Sequence, residues 1–151
     1  MEQQRTVTAY LCASDASGAI AFYKRAFGAE ERSRLTGEDG RVGHAEIVLG
    51  ASVFYLSDEW PEMHVLSPTS LKGNSVSFVL AVPDVDAAFQ RAVDAGATVE
   101  RPVVDQPYGR GGWVVDPFGH RWSLMTPNPE FDRDDTTSSA GGEPSASRGE
   151  A

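Results

Sequence analysis

The sequence contains one cysteine, few basic residues and no long apolar run. Cys12, the single cysteine in 151 residues, excludes an internal disulfide and favours a reducing cytoplasm. The 13 Lys and Arg stand against 22 Asp and Glu, a formal net charge of −9, so we expect neither nucleic acid nor an anionic membrane as a partner. No apolar run approaches the roughly 18 residues of a membrane span, and residues 1–5 lack the apolar stretch of a signal peptide. The composition predicts an acidic, soluble, cytoplasmic protein.

The second half of the chain repeats the first. Asp84 follows Asp15 by 69 residues (84 − 15 = 69), and other pairs share this offset: Gly40-Arg41 with Gly109-Arg110, Gly43 with Gly112, and Gly50 with Gly119. Most of these residues lie where the chain is expected to turn, so the repeat is one of structure as well as composition. Two copies of one unit predict paired modules with a cavity between them.

Each half predicts a strand, a helix and three further strands. Apolar alternation and helical spacing give strands at 7–13, 30–36, 43–49 and 52–57 in the first half, and at 76–82, 98–103, 112–115 and 121–126 in the second. Asp15 and Asp84 are the expected helix N-caps, and Gly28 and Gly96 the expected helix ends. This pattern predicts an α+β fold of two βαβββ modules, forming a curved mixed sheet lined by a cavity.

The module boundaries follow from changes in composition. We place module one at about 6–57, a linker at 58–73 and module two at about 74–127, all within a single domain spanning 1–127. The linker is either a solvated connection or, because it carries Trp60 and Met63, a lid over an apolar cavity. Residues 128–151 are polar and acidic and predict a disordered tail.

Several motifs in order resemble a known family. They are Phe22-Tyr23, Phe27-Gly28-Ala29, Asp84-Val85-Asp86-Ala87, Ala95-Gly96-Ala97 and Asp116-Pro117-Phe118-Gly119-His120. Together they resemble the vicinal oxygen chelate superfamily, in its glyoxalase/bleomycin-resistance (PhnB-like) branch, over about residues 5–127. The resemblance implies a homodimer with two clefts, sometimes built from both subunits. It also implies a divalent metal held by His, Gln or Glu on the first and last strands of each module.

The positions that would hold this metal carry no strong metal ligand. Counting from the cap aspartates and from Gly50 and Gly119, they fall near Thr8, Ser77, Phe54 and Ser123. Hydroxyl and phenyl groups are poor ligands compared with imidazole and carboxylate. We therefore predict no metal and no other cofactor.

His44 and Glu46 are the main alternative for chemistry. They lie two apart on one strand, so both side chains point to the same face. The pair suits acid–base catalysis, a displaced metal site, or a polar face in which Glu46 orients His44, and these alternatives remain open. His64 in the linker and His120 in a turn do not strengthen the case for a metal site. Cys12 is expected to be a small buried side chain.

Strand alternation predicts a mostly aromatic cavity with a few hydroxyl groups. The expected ligand-binding residues are Thr8, Tyr10, His44, Glu46, Phe54, Trp60, Ser77, Trp113 and Ser123. The repeat sets Trp113 opposite His44, whereas Trp122 and Leu124 have the other parity and are expected in the core. Such a lining is typical of a small-molecule site.

The leading prediction is a metal-independent protein that binds and sequesters an aromatic or cationic natural product, as in bleomycin-type antibiotic resistance. No catalytic residue is assigned under this prediction. The alternative is a glyoxalase-like lyase, isomerase or dioxygenase that uses His44 and Glu46 as an acid–base pair or a displaced metal site. A third class is a protein–protein interaction module without a pocket.

Overall fold

A computed structural model describes residues 4–131 of the chain. The prediction of a disordered tail falls mostly on residues 132–151, outside the described residues. In chain order the elements are β1 (Tyr10–Ala13), α1 (Ala16–Phe27), β2 (Glu30–Thr36), β3 (Val42–Leu49), β4 (Ser52–Asp58), a 3₁₀ turn (Pro61–Met63), α2 (Pro68–Leu71), β5 (Phe78–Ala81), α3 (Val85–Asp94), β6 (Thr98–Gln106), β7 (Gly109–Val115) and β8 (Arg121–Pro127).

The strands form two four-stranded sheets with the same topology. The first sheet has the order β1-β4-β3-β2 and the second the order β5-β8-β7-β6. In each sheet the first strand runs parallel to the last and the other pairs are antiparallel. The predicted α+β fold of two βαβββ modules is therefore confirmed.

The helix boundaries follow from their capping residues. Asp15 accepts a hydrogen bond from the Gly18 amide at 3.1 Å, and Asp84 accepts one from the Ala87 amide at 3.2 Å. These bonds satisfy backbone donors that a first helical turn leaves free. Helix α1 ends at Gly28 in the left-handed conformation, with φ of 70°, which a residue without Cβ adopts at little cost.

The core lies between the two sheets and their helices. One face of each sheet packs against α1 or α3, and these two helices also contact each other. Fully buried residues include Ile20 and Phe22 of α1, Ile47 and Leu56 of the first sheet, and Leu124 of the second. The predicted core position of Trp122 is also confirmed, since it is 4% exposed. The opposite face of each sheet, here called its outer face, packs against neither α1 nor α3.

A buried polar cluster joins the modules. The Tyr23 hydroxyl of α1 donates to Asp116 Oδ2 at 2.6 Å, and Trp122 Nε1 donates to the same oxygen at 3.0 Å. Nearby, His120 Nε2 lies 2.9 Å from the backbone oxygen of Cys12. His120 is 7% exposed, so the Asp116–His120 turn contributes to the junction between modules rather than to the surface.

The first strand of each module is shorter than predicted. The parallel ladder between β1 and β4 begins at Tyr10 opposite Tyr55, so Thr8 precedes it and is exposed. Thr8 therefore does not occupy the strand position that the cavity prediction required. Apolar alternation alone extended the strand too far, because it does not show where strand pairing stops: β4 begins at Ser52 but pairs with β1 only from Tyr55 onward.

Candidate functional site

A cleft of about 470 Å³ lies over the outer face of the first sheet. Strands β1, β3 and β4 supply its floor and the linker supplies its wall. Its lining residues are Tyr10, Leu11, Cys12, Gly43, Ser57, Trp60, Met63 and Val65. Most of these side chains are apolar or aromatic, and the volume is within the range of small-molecule sites.

The wall of the cleft is a closed loop of the linker, residues 60–65, here called the strap. Trp60 and Val65 exchange backbone hydrogen bonds of 2.8 and 3.0 Å, which close the loop on itself. At its base, Glu59 Oε1 accepts hydrogen bonds from the amide and the hydroxyl of Ser67 at 2.8 and 2.6 Å. Residues 60–65 of the linker therefore form one wall of the cleft.

Arg41 holds the strap from the β2–β3 turn. Its guanidinium carbon lies 3.5 Å from the centre of the Trp60 ring, within cation–π distance. The same guanidinium pairs with Asp39 at 2.7 Å and with Glu62 of the strap at 2.9 Å. The charge of Arg41 is thus balanced by two carboxylates.

A chain of polar side chains lies beside the cleft. The Tyr10 hydroxyl is 2.6 Å from His44 Nδ1 and 3.2 Å from the backbone oxygen of Gly43. His44 Nε2 lies 3.7 Å from Glu46 Oε1, and Arg32 contacts Glu46 Oε2 at 2.6 Å. The predicted shared face of His44 and Glu46 is confirmed, and Tyr10 joins them to the cleft.

Burial and charge set the ionisation of these groups. Hydrogen bonding from Arg32 holds the pKa of Glu46 below its usual range, so this carboxyl is ionised at neutral pH. Burial is the largest cause that raises the pKa of the Cys12 thiol, and the Glu59 and Asp58 carboxylates add to it, so that this pKa is about 11. Cys12 is therefore a protonated, weakly nucleophilic thiol at neutral pH.

The structure moves one predicted ligand contact into the core. Phe54 is 7% exposed and packs against Tyr23 and Trp122, on the helix side of the sheet. Its neighbour Tyr55 lies on the outer face instead, directly opposite Tyr10. The prediction for Phe54 was wrong because the turns before β4 and β8 differ: Leu49 pairs with Ser52, whereas Val115 pairs with Arg121 across a longer turn.

Two other predicted contacts, Trp113 and Ser123, lie on the second sheet, and Ser77 directly precedes its strand β5. Ser123 pairs with Trp113 on one side and with Val79 on the other, so these three residues share the outer face of that sheet. In the first sheet the equivalent cross-strand neighbours are Tyr10, Tyr55 and Glu46. Trp113 therefore occupies the position that corresponds to Glu46, not to His44.

None of these second-sheet residues lines the cleft. The Ser77 hydroxyl accepts a hydrogen bond from Arg121 at 2.8 Å. The Arg121 guanidinium also lies over the Trp113 ring, 4.6 Å from its centre. The structure therefore brings Tyr10, His44, Glu46 and Trp60 together, and leaves Ser77, Trp113 and Ser123 apart from them.

Sequence reasoning missed several cleft residues. Ser57 shares parity with Tyr55 on β4, and the corrected alternation of that strand would have found it. Gly43 lines the floor because its missing side chain leaves room beneath Trp60: an added Cβ would lie 3.8 Å from Trp60 Cζ2. Val65 could not be found from the pattern, since only the folded strap brings it back against Trp60.

The donor set does not fit the divalent metal that the family resemblance implies. Of the four positions, Thr8 is exposed ahead of β1, Phe54 is in the core, Ser77 is bonded to Arg121 and Ser123 is a buried hydroxyl. Within residues 4–131 no group of three or more His, Cys, Asp or Glu side chains is arranged to hold an ion. The imidazole and carboxylate beside the cleft already interact with Tyr10 and Arg32.

The family model for the Glyoxalase/Bleomycin resistance protein/Dioxygenase superfamily matches residues 5–124. The chain belongs to this superfamily. An uncharacterized protein of Mycobacterium tuberculosis, Rv0887c, is 45% identical over 130 residues, covering 83% of this chain and 76% of its own. The anthracycline biosynthesis protein DnrV of Streptomyces peucetius is 29% identical over 144 residues, covering 75% of this chain and 50% of its own.

Solved structures share the fold. The product of Arabidopsis thaliana gene At5g48480 superposes with a TM-score of 0.63 at 29% identity, covering 82% of this chain and 99% of that chain. TioX from Micromonospora sp. ML1 superposes with a TM-score of 0.62 at 26% identity, covering 82% of this chain and 97% of that chain. The fosfomycin resistance protein FosX from Listeria monocytogenes superposes with a TM-score of 0.67 at 14% identity, covering 86% of this chain and 98% of that chain. At this identity the likeness is one of fold alone. No helix within residues 4–131 has the length and apolar character needed to cross a membrane.

Proposed function

We propose that this superfamily member binds and sequesters a small aromatic or cationic natural product, such as an antibiotic, without using a metal. The observation that carries the proposal is the cleft over the first sheet, whose aromatic wall faces a hydrogen-bonded Tyr10–His44 pair. Trp60 and Tyr10 offer ring surfaces for stacking, and Met63 adapts to ligand shape. Similarity to DnrV, named for anthracycline biosynthesis, supports a natural product as the ligand.

A cleft-filling variant tests this proposal. In Gly43→Ala the new methyl group makes ordinary contact with Trp60 Cζ2 at 3.8 Å, so the fold is retained while the floor rises. A ligand packed against the floor would clash with this methyl group, and overpacking of that contact is expected to cost about 1–3 kcal/mol. We expect aromatic ligands identified by titration calorimetry from a panel of natural products to bind about tenfold more weakly.

The control is Gly73→Ala, which lies outside this cleft and has no heavy atom within 4 Å of an added Cβ. Affinity in this variant should equal that of the wild-type protein. Equal affinity of Gly43→Ala and wild type would place the ligand elsewhere, and a panel without any binder would contradict the proposal.

A second candidate function is metal-free acid–base catalysis, favoured by the 2.6 Å contact between Tyr10 and His44 Nδ1. A ligand found by calorimetry should then be converted to an isomer or cleavage product when incubated with the protein. His44→Ala would abolish that conversion while leaving the circular dichroism spectrum unchanged. Recovery of unaltered ligand after prolonged incubation with the wild-type protein would leave sequestration as the function.

We also propose a homodimer in which a second copy covers the outer face of the second sheet. Val79 on that face is 63% exposed, and Tyr108 and Val104 near it are 49% and 45% exposed. A second copy would also bring Trp113 and Ser123 to a cleft that they cannot reach within one protomer. Sedimentation equilibrium should give twice the chain mass, and Val79→Glu should give the monomer mass because it places a charge in the contact.

A cytoplasmic location completes the proposal, because the only cysteine, Cys12, is a free thiol. Fractionation of cells of the source organism checks it. Recovery of the protein outside the cytoplasmic fraction would contradict it.

A further inference from the structure

The Tyr10 hydroxyl has one proton and two acceptors within the protein. His44 Nδ1 lies 2.6 Å from the hydroxyl oxygen and the backbone oxygen of Gly43 lies 3.2 Å from it. A phenolic hydroxyl supplies one donated hydrogen bond and can accept others through its lone pairs. What this group offers to the cleft therefore depends on where its proton points.

The neighbouring charges favour one direction for this proton. Glu46 is ionised and lies 3.7 Å from His44 Nε2, which favours a proton on Nε2. In a neutral ring Nδ1 is then bare and accepts the Tyr10 proton. Arg32, which contacts Glu46 at 2.6 Å, keeps the carboxylate in place.

The other protonation states of His44 lead to the same result. If Nδ1 carries a proton, it donates to the Tyr10 oxygen, and the Tyr10 proton turns to the Gly43 oxygen. In every state the Tyr10 proton stays within the protein and at least one lone pair of the oxygen remains free. Tyr10 and Gly43 both line the cleft, so the cleft presents an acceptor there rather than a donor.

The charges around the cleft favour a cation. The carboxylates of Asp58 and Glu59 act electrostatically on the Cys12 thiol in the floor of the cleft. The nearby guanidinium groups are balanced: Arg41 pairs with Asp39 and Glu62, and Arg32 pairs with Glu46. A positively charged donor therefore gains from both the lone pair and the surrounding potential.

We propose that Tyr10 is the specificity-determining residue of the cleft and that it selects aromatic ligands carrying a protonated amine with a free N–H. His44 is a positioning residue, since it acts by holding the Tyr10 proton. This inference rests on the proposed binding function and adds the chemical class of the ligand.

Two probes with the same ring and the same charge test the inference. The 1-naphthylmethylammonium ion carries N–H donors, and (1-naphthylmethyl)trimethylammonium carries none. Titration calorimetry gives the ratio of their affinities for the wild-type protein and for Tyr10→Phe, which keeps the ring. We expect this ratio to fall about tenfold in Tyr10→Phe, as for loss of a hydrogen bond to a charged group. The two probes also differ in size, but that difference affects wild type and Tyr10→Phe alike, so it cancels when the two affinity ratios are compared.

The matched control is Tyr55→Phe. Its ring lies 5.5 Å from the Tyr10 ring on the same face, but Tyr55 does not line the cleft and its hydroxyl makes no hydrogen bond with residues 4–131. The affinity ratio should be unchanged in this variant. A third probe, 1-acetylnaphthalene, only accepts hydrogen bonds and should bind Tyr10→Phe at least as tightly as wild type.

The possible results distinguish failure of this inference from failure of the proposed binding function. If both ammonium probes bind and the ratio of their affinities is the same in wild type and Tyr10→Phe, the inference is overturned while the proposed binding function stands. Weaker binding of 1-acetylnaphthalene to Tyr10→Phe would also overturn it, because Tyr10 would then be a donor. If no naphthyl probe binds the wild-type protein, the cleft is not an aromatic site and both fail.

Discussion

Replacing Tyr23 by phenylalanine removes one hydroxyl from the junction between the two modules. That hydroxyl is fully buried and donates to Asp116 Oδ2 at 2.6 Å. Burial and the adjacent Asp116 carboxylate raise the pKa of Tyr23 well above its usual value, so the hydroxyl is a donor at all ordinary pH. The ring itself stays in place, stacked against Phe27 at 5.9 Å.

The expected cost follows from the partners that remain. A hydrogen bond to a charged group is worth about 1.5–3 kcal/mol. Asp116 keeps its other donors, which are Trp122 Nε1 and the amides of Phe118 and His120. Because these bonds keep the carboxylate partly satisfied, we expect Tyr23→Phe to lower the free energy of unfolding by about 2 kcal/mol.

Asp116→Asn should cost more than Tyr23→Phe. With Oδ1 still accepting the two amides, the new amide nitrogen would face the Trp122 N–H, which cannot accept. A buried donor would then be left without a partner. This order of the two variants depends on the carboxylate lying between Tyr23 and Trp122.

Urea denaturation followed by tryptophan fluorescence measures both variants. With a slope of about 2 kcal/mol/M, a loss of about 2 kcal/mol lowers the midpoint by roughly 1 M. Tyr55→Phe is the control, because its hydroxyl makes no hydrogen bond with the described residues, and its midpoint should barely change. If Tyr23→Phe and Tyr55→Phe have the same midpoint, or if Asp116→Asn is the milder change, the junction does not contribute as argued.

Three further predictions concern the cleft and its strap. Raising the Cys12 pKa from 9.0 to about 11 leaves about a hundredfold less thiolate near neutral pH, so iodoacetamide should alkylate native protein far more slowly than urea-unfolded protein. Equal rates would contradict the raised pKa of this half-buried thiol. Hydrogen bonds from Ser67 lower the pKa of Glu59, so its stabilising contribution is complete above its ordinary pKa of 4.5 and is lost as pH falls through the lowered value. Melting temperatures from pH 6 to pH 3 should therefore fall less steeply in Glu59→Gln, and parallel curves would refute this. Arg41→Ala removes the cation over Trp60, so strap amides such as Val65 should exchange hydrogen severalfold faster, with α1 amides unchanged as the internal control.

Local signals in the sequence predicted the modules well. Asp15 and Asp84 cap the two helices as expected, because an N-cap depends only on its own side chain and the next few amides. Gly28 ends α1 for a similarly local reason. Trp122 and Leu124 were correctly placed in the core, since parity within one strand needs no knowledge of other strands.

Registers between strands were harder to predict. Phe54 was placed on the wrong face because its position was counted from Gly50 by analogy with Gly119, across turns of different length. A shift of one residue exchanges the two faces of a strand, so Tyr55 took the outer position instead. The pairing of Trp113 with His44 was wrong by two residues, which kept the face but changed the neighbours.

The number of modules, their order of elements and most of the core can be predicted from the sequence, because periodicity, caps and glycines act over a few residues. Which side chains meet at the cleft depends on the tertiary structure. Tyr10, His44 and Trp60 come from β1, β3 and the strap, and their distances depend on strand register and on how the linker folds back. Those contacts join residues far apart in the chain, and no local pattern encodes the length of each turn between them.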